Sequence, residues 1–120
     1  MEDVVPIGDQ LRSRDLFDAF KLQLTKDFEK SNFPSGFINE LPADYHRIHE
    51  KIVNELLLSE TRADSNLKHL VNRIDISEGQ LKKHLHQHAD KNHLAVIADL
   101  IIKRVLQKVV IKRYYQKGQQ

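Results

Sequence analysis

Four of the seven histidines occur in pairs whose spacing suits a ligand site on a helix. His84 and His88 are one helical turn apart, and His46 and His49 are three residues apart, as metal ligands on helices often are. The zinc-protease signature, however, has a glutamate beside its first histidine, where this chain has Leu85. Nothing in the spacing brings the two pairs together, so we predict no metal site and no cofactor. Imidazoles that gain protons below neutral pH would instead strengthen anion binding, or they form an ordinary solvated surface.

The charges of the chain are distributed unevenly. The net charge is +2, yet residues 100–120 contain six cations and no acid, which leaves −4 for residues 1–99. The six cations are Lys103, Arg104, Lys108, Lys112, Arg113 and Lys117. Such a cluster attracts polyanions through its summed field, although an ordinary solvated helix has the same composition. The C-terminal segment is therefore one candidate for contact with nucleic acid.

Sequence signals for catalysis and for membrane insertion are missing. The chain has no cysteine, no glycine-rich phosphate loop and no G-x-S-x-G turn. It also has no run of about eighteen apolar residues, which a membrane span requires. The acidic residues that follow Met1 are unlike the start of a signal peptide. We therefore expect a cytoplasmic protein that is not an enzyme, with no membrane association and no small-molecule substrate.

Apolar residues recur at intervals of three and four along most of the chain, which predicts amphipathic helices. The segment after the first helix contains prolines and a glycine, but it is too apolar for a free linker. We predict an N-terminal arm (1–8), a helix (9–31), a packed loop (32–43), a helix (44–59), a helix-turn-helix-like pair (64–89) and a long basic helix (92–116). The fold class is accordingly all-α, a single-domain bundle of about five helices with a long central C-terminal helix.

The C-terminal helix has more apolar surface than one neighbouring helix can cover. Its main stripe includes Ile101, Val105 and Val109 and spans more than a third of a helical wheel. Four further apolar residues fall outside that stripe, among the charges: Val96, Leu100, Val110 and Ile111. Either the helix is surrounded by the rest of the bundle, or these four residues form an interface with a protein partner or a second copy of the chain.

The segment from Leu67 to Leu85 has the pattern of two short helices joined by a capped turn. Its second half reads Ile76-Ser77-Glu78-Gly79-Gln80-Leu81-Lys82-Lys83-His84-Leu85. The segment resembles the helix-turn-helix unit of bacterial transcription regulators, and its second half resembles the recognition helix of the LuxR type.

The resemblance implies that outward residues of the second helix enter a major groove. Those residues would be Glu78, Gln80, Lys82 and Lys83. Two positions depart from the pattern, because the family prefers a small residue where Val71 stands and a glycine where Asp75 stands. Asp tolerates a left-handed backbone, so the second departure is mild. The alternative interpretation is a purely structural helix corner.

These observations predict a small non-enzymatic regulatory or adaptor protein that binds a macromolecule. The first hypothesis is nucleic acid, bound through the helix-turn-helix-like corner and the basic C-terminal helix. The contacting residues would be Gln80, Lys82, Lys83, Lys108, Lys112 and Arg113. A single continuous cationic face formed by these residues would favour the nucleic-acid hypothesis. The alternative is a protein interaction module or homodimer that uses the additional apolar face of the C-terminal helix.

Overall fold

A computed structural model of the chain contains α-helices and no β-strand within the described residues, which are 7–60, 67–88 and 92–118. The chain begins with α1 (Ile7–Arg12), α2 (Arg14–Lys30) and a short 3-10 helix (Gly36–Glu40). The remaining helices are α3 (Tyr45–Glu60), α4 (Leu67–Arg73), α5 (Glu78–Gln87) and α6 (His93–Gly118). The predicted all-α class is confirmed. No helix in these ranges combines the length and the apolar composition needed to cross a bilayer.

The segment predicted as one helix over 9–31 is divided in two at Ser13. This residue has an extended backbone, with φ −68° and ψ 118°, and its carbonyl accepts from the N–H of Phe17 at 2.8 Å. Ser13 is therefore the N-cap of α2, a position that serine favours. Four polar residues, Arg12 to Asp15, separate the buried Leu11 from the apolar residues of α2, which include the buried Phe17, Phe20 and Leu24. A polar stretch of this length is equally compatible with the exposed side of one continuous helix. Periodicity alone consequently did not reveal the break.

The segment between α2 and α3 packs on the core, as its apolar composition predicted. Phe33, Ile38 and Leu41 are buried, and the ring of Phe33 lies 5.4 Å from the ring of Phe28. The segment ends at Asp44, whose carboxylate accepts from the first-turn amides of α3, the closer at 2.9 Å. This cap satisfies amides that have no partner within the helix and so defines where α3 begins.

Helix α6 is the centre of the bundle. It packs against α2, α3 and α5, and it buries residues on more than one side. The buried residues are Leu94, Val96, Ile97, Ala98, Leu100, Ile101, Ile102, Val105, Leu106 and Val109. Val96 and Leu100, expected at an interface, are only 6% and 4% exposed. That expectation is corrected, because three helices of the same chain already cover these side chains and leave no surface there for a partner.

Candidate functional site

The turn between α4 and α5 has a left-handed residue where the helix-turn-helix pattern has glycine. Asp75 has φ 70°. Its N–H donates to the carbonyl of Asn72 at 3.1 Å, and the N–H of Ile76 donates to the carbonyl of Val71 at 3.1 Å. These two bonds form a Schellman motif, which ends a helix by placing one residue in the left-handed region. Asp75 therefore performs the conformational role of the missing glycine.

Helix α5 begins at a side-chain cap and presents its polar side to solvent. The hydroxyl of Ser77 accepts from the N–H of Gln80 at 3.0 Å, which satisfies one free amide at the helix start. Leu81 and Leu85 are half-buried and pack on the core. The outer face of α5, which we define as Gln80, Lys82 and Lys83, is exposed, as predicted. The side chain of Glu78 lies outside the described residues.

The two helices of the pair are positioned mainly by the rest of the bundle. Helix α4 packs on α2, and α5 packs on α6, whereas contact between α4 and α5 themselves is slight. Leu70, Ile74 and Ile76 are buried in the common core and hold the turn in place. The angle between α4 and α5 is consequently set by the core, and the bulk of Val71 does not need to fit a close crossing of the two helices.

Lys108, predicted to contact nucleic acid, belongs to a buried ion network instead. Its ammonium lies 3.2 Å from the carboxylate of Asp27, which is 1% exposed. Arg73 Nε lies 3.4 Å from the same carboxylate, which also accepts from Gln23 Nε2 at 3.2 Å. A buried carboxylate is costly without a cation beside it. The prediction for Lys108 is therefore corrected: this lysine compensates Asp27 and is not free to bind phosphate.

Lys112 and Arg113 also face α2. Lys112 donates to Gln23 Oε1 at 3.1 Å, and Arg113 Nη2 lies 3.6 Å from a carboxylate oxygen of Asp15. These contacts are exposed, so each adds little stability and can be exchanged for another partner. No local pattern indicated these contacts, because the partners precede the basic residues by 89 and 98 positions.

Within the described ranges, the basic residues do not form the single continuous face that would have favoured nucleic acid most strongly. The turn before α5 is next to Arg104, since Asp75 lies 3.8 Å from its guanidinium. From there α5 lies alongside the N-terminal half of α6, where its last turn is close to Ala95. Lys112 is about 12 Å further along α6 than Arg104, at 1.5 Å per residue, and it faces α2. Lys82 and Lys83, like Lys68 of α4, are exposed and have no acidic partner within the described residues.

A second site, which the sequence suggested only in parts, is a cleft lined by both histidine pairs. We call it the histidine cleft; it has a volume of about 360 Å³. Its lining residues are Tyr45, His46, His49, His84, His88, Ala95, Val96, Asp99 and Lys103. The spacing within each pair was visible in the sequence. Their meeting depends on how α3 and α5 pack beside α6, which no local pattern encodes.

The polar side chains of the cleft are held by hydrogen bonds. Tyr45 donates to Asp99, and Lys103 Nζ lies 2.8 Å from the other oxygen of that carboxylate. His49 Nε2 donates to the carbonyl of Ala95 at 2.8 Å, and its ring stacks on Tyr45 with centroids 5.7 Å apart. The carboxylate of Asp99 is therefore partnered on both oxygens.

The same contacts shift two pKa values in opposite directions. Burial alone would raise the pKa of Asp99, but the hydrogen bonds from Lys103 and Tyr45 and the nearby positive charge lower it overall. Burial, followed by the hydrogen bond to Asp99, raises the pKa of Tyr45. Asp99 is accordingly an anion and Tyr45 a neutral donor at physiological pH.

The arrangement of the cleft is unsuited to a metal ion in this conformation. Within the described part of the chain, no three histidine, aspartate, glutamate or cysteine side chains lie close enough to hold one ion. Comparison of the chain with protein-family models, with curated proteins and with solved structures found no match. The two candidate surfaces, the outer face of α5 and the histidine cleft, are therefore argued from geometry and chemistry.

Proposed function

We propose that the chain is a small, non-enzymatic regulatory or adaptor domain that binds nucleic acid through the outer face of α5. The observation that carries the proposal is the capped turn. Asp75 and Ser77 fix the start of α5, and the core holds its apolar side. Lys82 and Lys83 are thereby displayed to solvent on a short, rigid helix.

A helix of this kind has the dimensions to enter the major groove of duplex DNA. Lysine contacts phosphates or the acceptor edge of guanine, and glutamine can pair with adenine. Lys82 and Lys83 supply the first chemistry, and Gln80 supplies the second. Lys112 and Arg113 have a secondary role, since their exposed contacts to α2 can be exchanged for phosphate contacts.

The test is the loss of duplex DNA binding when the charge of α5 is reversed. The variant Lys82→Glu/Lys83→Glu should bind a labelled duplex at least about tenfold more weakly, and its plot of log affinity against log salt should be shallower by about two. Fluorescence anisotropy between about 50 and 200 mM salt measures both quantities. Circular dichroism verifies the fold.

The matched control is Lys30→Glu/Lys51→Glu, which changes the net charge equally at two exposed lysines of α2 and α3. It should retain most of the affinity of the parent chain. Equal loss in the two variants would mean that only the overall charge matters. Full binding by the α5 variant would remove the proposal.

The second candidate is a protein partner or a homodimer. It is supported by Val110 and Ile111, which are 37% and 43% exposed on α6. It is weakened by the burial of Val96 and Leu100 within the domain, which halves the expected apolar face. Light scattering separates the candidates, because a dimer that Val110→Lys dissociates would favour this one.

A further inference from the structure

We propose that the histidine cleft binds a small phosphate-bearing anion, and that its affinity increases as the histidines become protonated. The proposal uses a different surface from the outer face of α5. It therefore does not depend on nucleic-acid binding.

The cleft lies where three helices bring several polar side chains together. The first half of α3, the last turn of α5 and the first half of α6 each contribute polar groups, and Ala95 and Val96 of α6 add apolar surface between them. Its volume of about 360 Å³ is at the lower end of the range for small-molecule pockets, about 300 to 1,000 Å³. A polar site of this size suits a small hydrophilic ligand better than an apolar one.

The charge of the cleft depends on its imidazoles. Within the described part of the chain, the titratable and charged groups that line it are Tyr45, His46 and His49 from α3, His84 and His88 from α5, and Asp99 and Lys103 from α6. The charges of Asp99 and Lys103 cancel across their 2.8 Å ion pair, and Tyr45 is neutral. The remaining four groups are histidines, a side chain that gains its charge between about pH 5 and 8. Each imidazole that is protonated therefore adds positive charge to a lining in which the other described charges cancel.

The N-terminal ends of two helices favour the same outcome. Helices α3 and α6 begin beside the cleft, and their N-terminal ends carry a partial positive charge that attracts anions. Some of these amides are already capped by Asp44 and Asn92, so the contribution is the dipole field and not direct amide contact. The C-terminal end of α5, which carries a partial negative charge, also lies at the cleft and opposes part of this field.

Phosphate fits this set of groups better than a carboxylate does. It has more than one negative charge near neutral pH and several strong acceptor oxygens, so it can accept from more than one donor at a time. His84 uses its Nδ1 on the carbonyl of Gln80, at 2.9 Å, which leaves Nε2 for the ligand. A carboxylate has two oxygens and one charge, and it would use fewer of these donors.

The test is an NMR titration of the ¹⁵N-labelled chain with inorganic phosphate and, in parallel, with sulfate. Sulfate keeps a constant charge, so any pH dependence of its binding reports on the protein. Both anions should shift the amide signals of the cleft saturably. The affinity for sulfate should increase about tenfold or more from about pH 8 to about pH 6, since each added charge near the anion contributes that much or more. Absence of saturable shifts at the cleft, or an affinity independent of pH, would overturn the proposal.

The decisive variant is His84→Asn/His88→Asn, and its matched control is His69→Asn/His86→Asn. The control removes two exposed histidines of α4 and α5 that do not line the cleft. The first variant should lose most of the gain in affinity at low pH, and the control should keep it. If the first variant fails to fold, His46→Asn, at an exposed position of α3, tests the same dependence.

Duplex DNA distinguishes a free anion from the phosphates of a nucleic acid. The cleft variant should bind DNA as the parent chain does, because Lys82 and Lys83 are intact. Loss of DNA binding by this variant, with no sulfate binding by the parent, would assign the cleft to the nucleic-acid surface and overturn the free-anion site. Failure of DNA binding in the parent chain removes the function proposed for α5 and leaves the anion titration unaffected.

Discussion

Asp27 is the residue whose environment most constrains the interpretation of the basic C-terminal helix. Its carboxylate is 1% exposed and is contacted by Lys108 of α6, Arg73 of α4 and Gln23 of α2. It thus joins three helices through one buried charge. The sequence made Lys108 a candidate for contact with nucleic acid. In the structure its ammonium compensates the buried negative charge of Asp27.

At this scale we predict that Asp27→Asn lowers the free energy of unfolding by about 2–3 kcal/mol. Removing one partner from a fully buried ion pair costs about 3–5 kcal/mol, and the cost is smaller here because Lys108 and Arg73 still reach water. Urea denaturation measures the change. Asp15→Asn is the control: its side chain is 79% exposed beside Arg113, so it should cost less than about 1 kcal/mol. Equal effects of the two substitutions would contradict the assignment of Asp27 as a buried hub.

At the scale of elements, two helices end in the same way without glycine. After α2, Asn32 has φ 62°, its N–H donates to Glu29, and the N–H of Phe33 donates to Phe28. After α4, Asp75 does the same with φ 70°. Both ends are Schellman motifs in which an Asn or Asp occupies the position that glycine usually takes. After the end of α2 the chain continues into the packed segment, and after the end of α4 it continues into α5.

We expect Asn32→Val to lower the free energy of unfolding by about 1–2 kcal/mol, because a β-branched residue is strained at positive φ. The side chain of Asn32 is exposed, so the substitution removes no core contact. Asn32→Gly, the matched variant, should change stability by less than about 1 kcal/mol, since glycine adopts this conformation freely but loses more backbone entropy on folding. Thermal or urea denaturation of the two variants gives the comparison. A valine variant as stable as the glycine variant would argue against a left-handed residue at this helix end.

At the scale of the whole molecule, the position of α6 determines which surfaces remain for binding. Because α2, α3 and α5 pack around α6, most of the apolar side chains of α6 are buried in the core. Exposed apolar side chains of α6 remain towards its C-terminal end, at Val110 and Ile111. The histidine cleft exists for the same reason, since α3 and α5 meet only through their common packing beside α6.

The central position of α6 predicts a sharp contrast between two isoleucines of that helix. Ile102→Ala should destabilise the chain by about 2–5 kcal/mol, because Ile102 is 0% exposed and its truncation leaves a cavity. Ile111→Ala, at a residue that is 43% exposed, should cost less than about 1 kcal/mol. Denaturation curves of both variants provide the test. A similar cost at the two positions would mean that α6 is not buried as described.

Local patterns predicted which segments are helical, but they predicted the ends of those helices less accurately. The spacing of Phe17, Phe20 and Leu24 predicted the buried face of α2, and Ser77 was recognised as the cap of α5. The break at Ser13 was missed, because the polar residues from Arg12 to Asp15 are equally compatible with the exposed side of one continuous helix. Val96 and Leu100 were assigned to an outer face, because a helical wheel shows which sides of a helix are apolar but not how many other helices pack against it.

The sequence by itself determined the all-α class, the order of the helices and the exposed polar side of α5. These properties follow from periodicity, capping and turn chemistry, which act between residues close together in the chain. Only the tertiary structure decided that Lys108 pairs with Asp27, 81 residues away, and that two histidine pairs line one cleft. Such contacts depend on which helices pack together. The packing is determined by the burial of apolar surface over the whole chain, so no short segment predicts it.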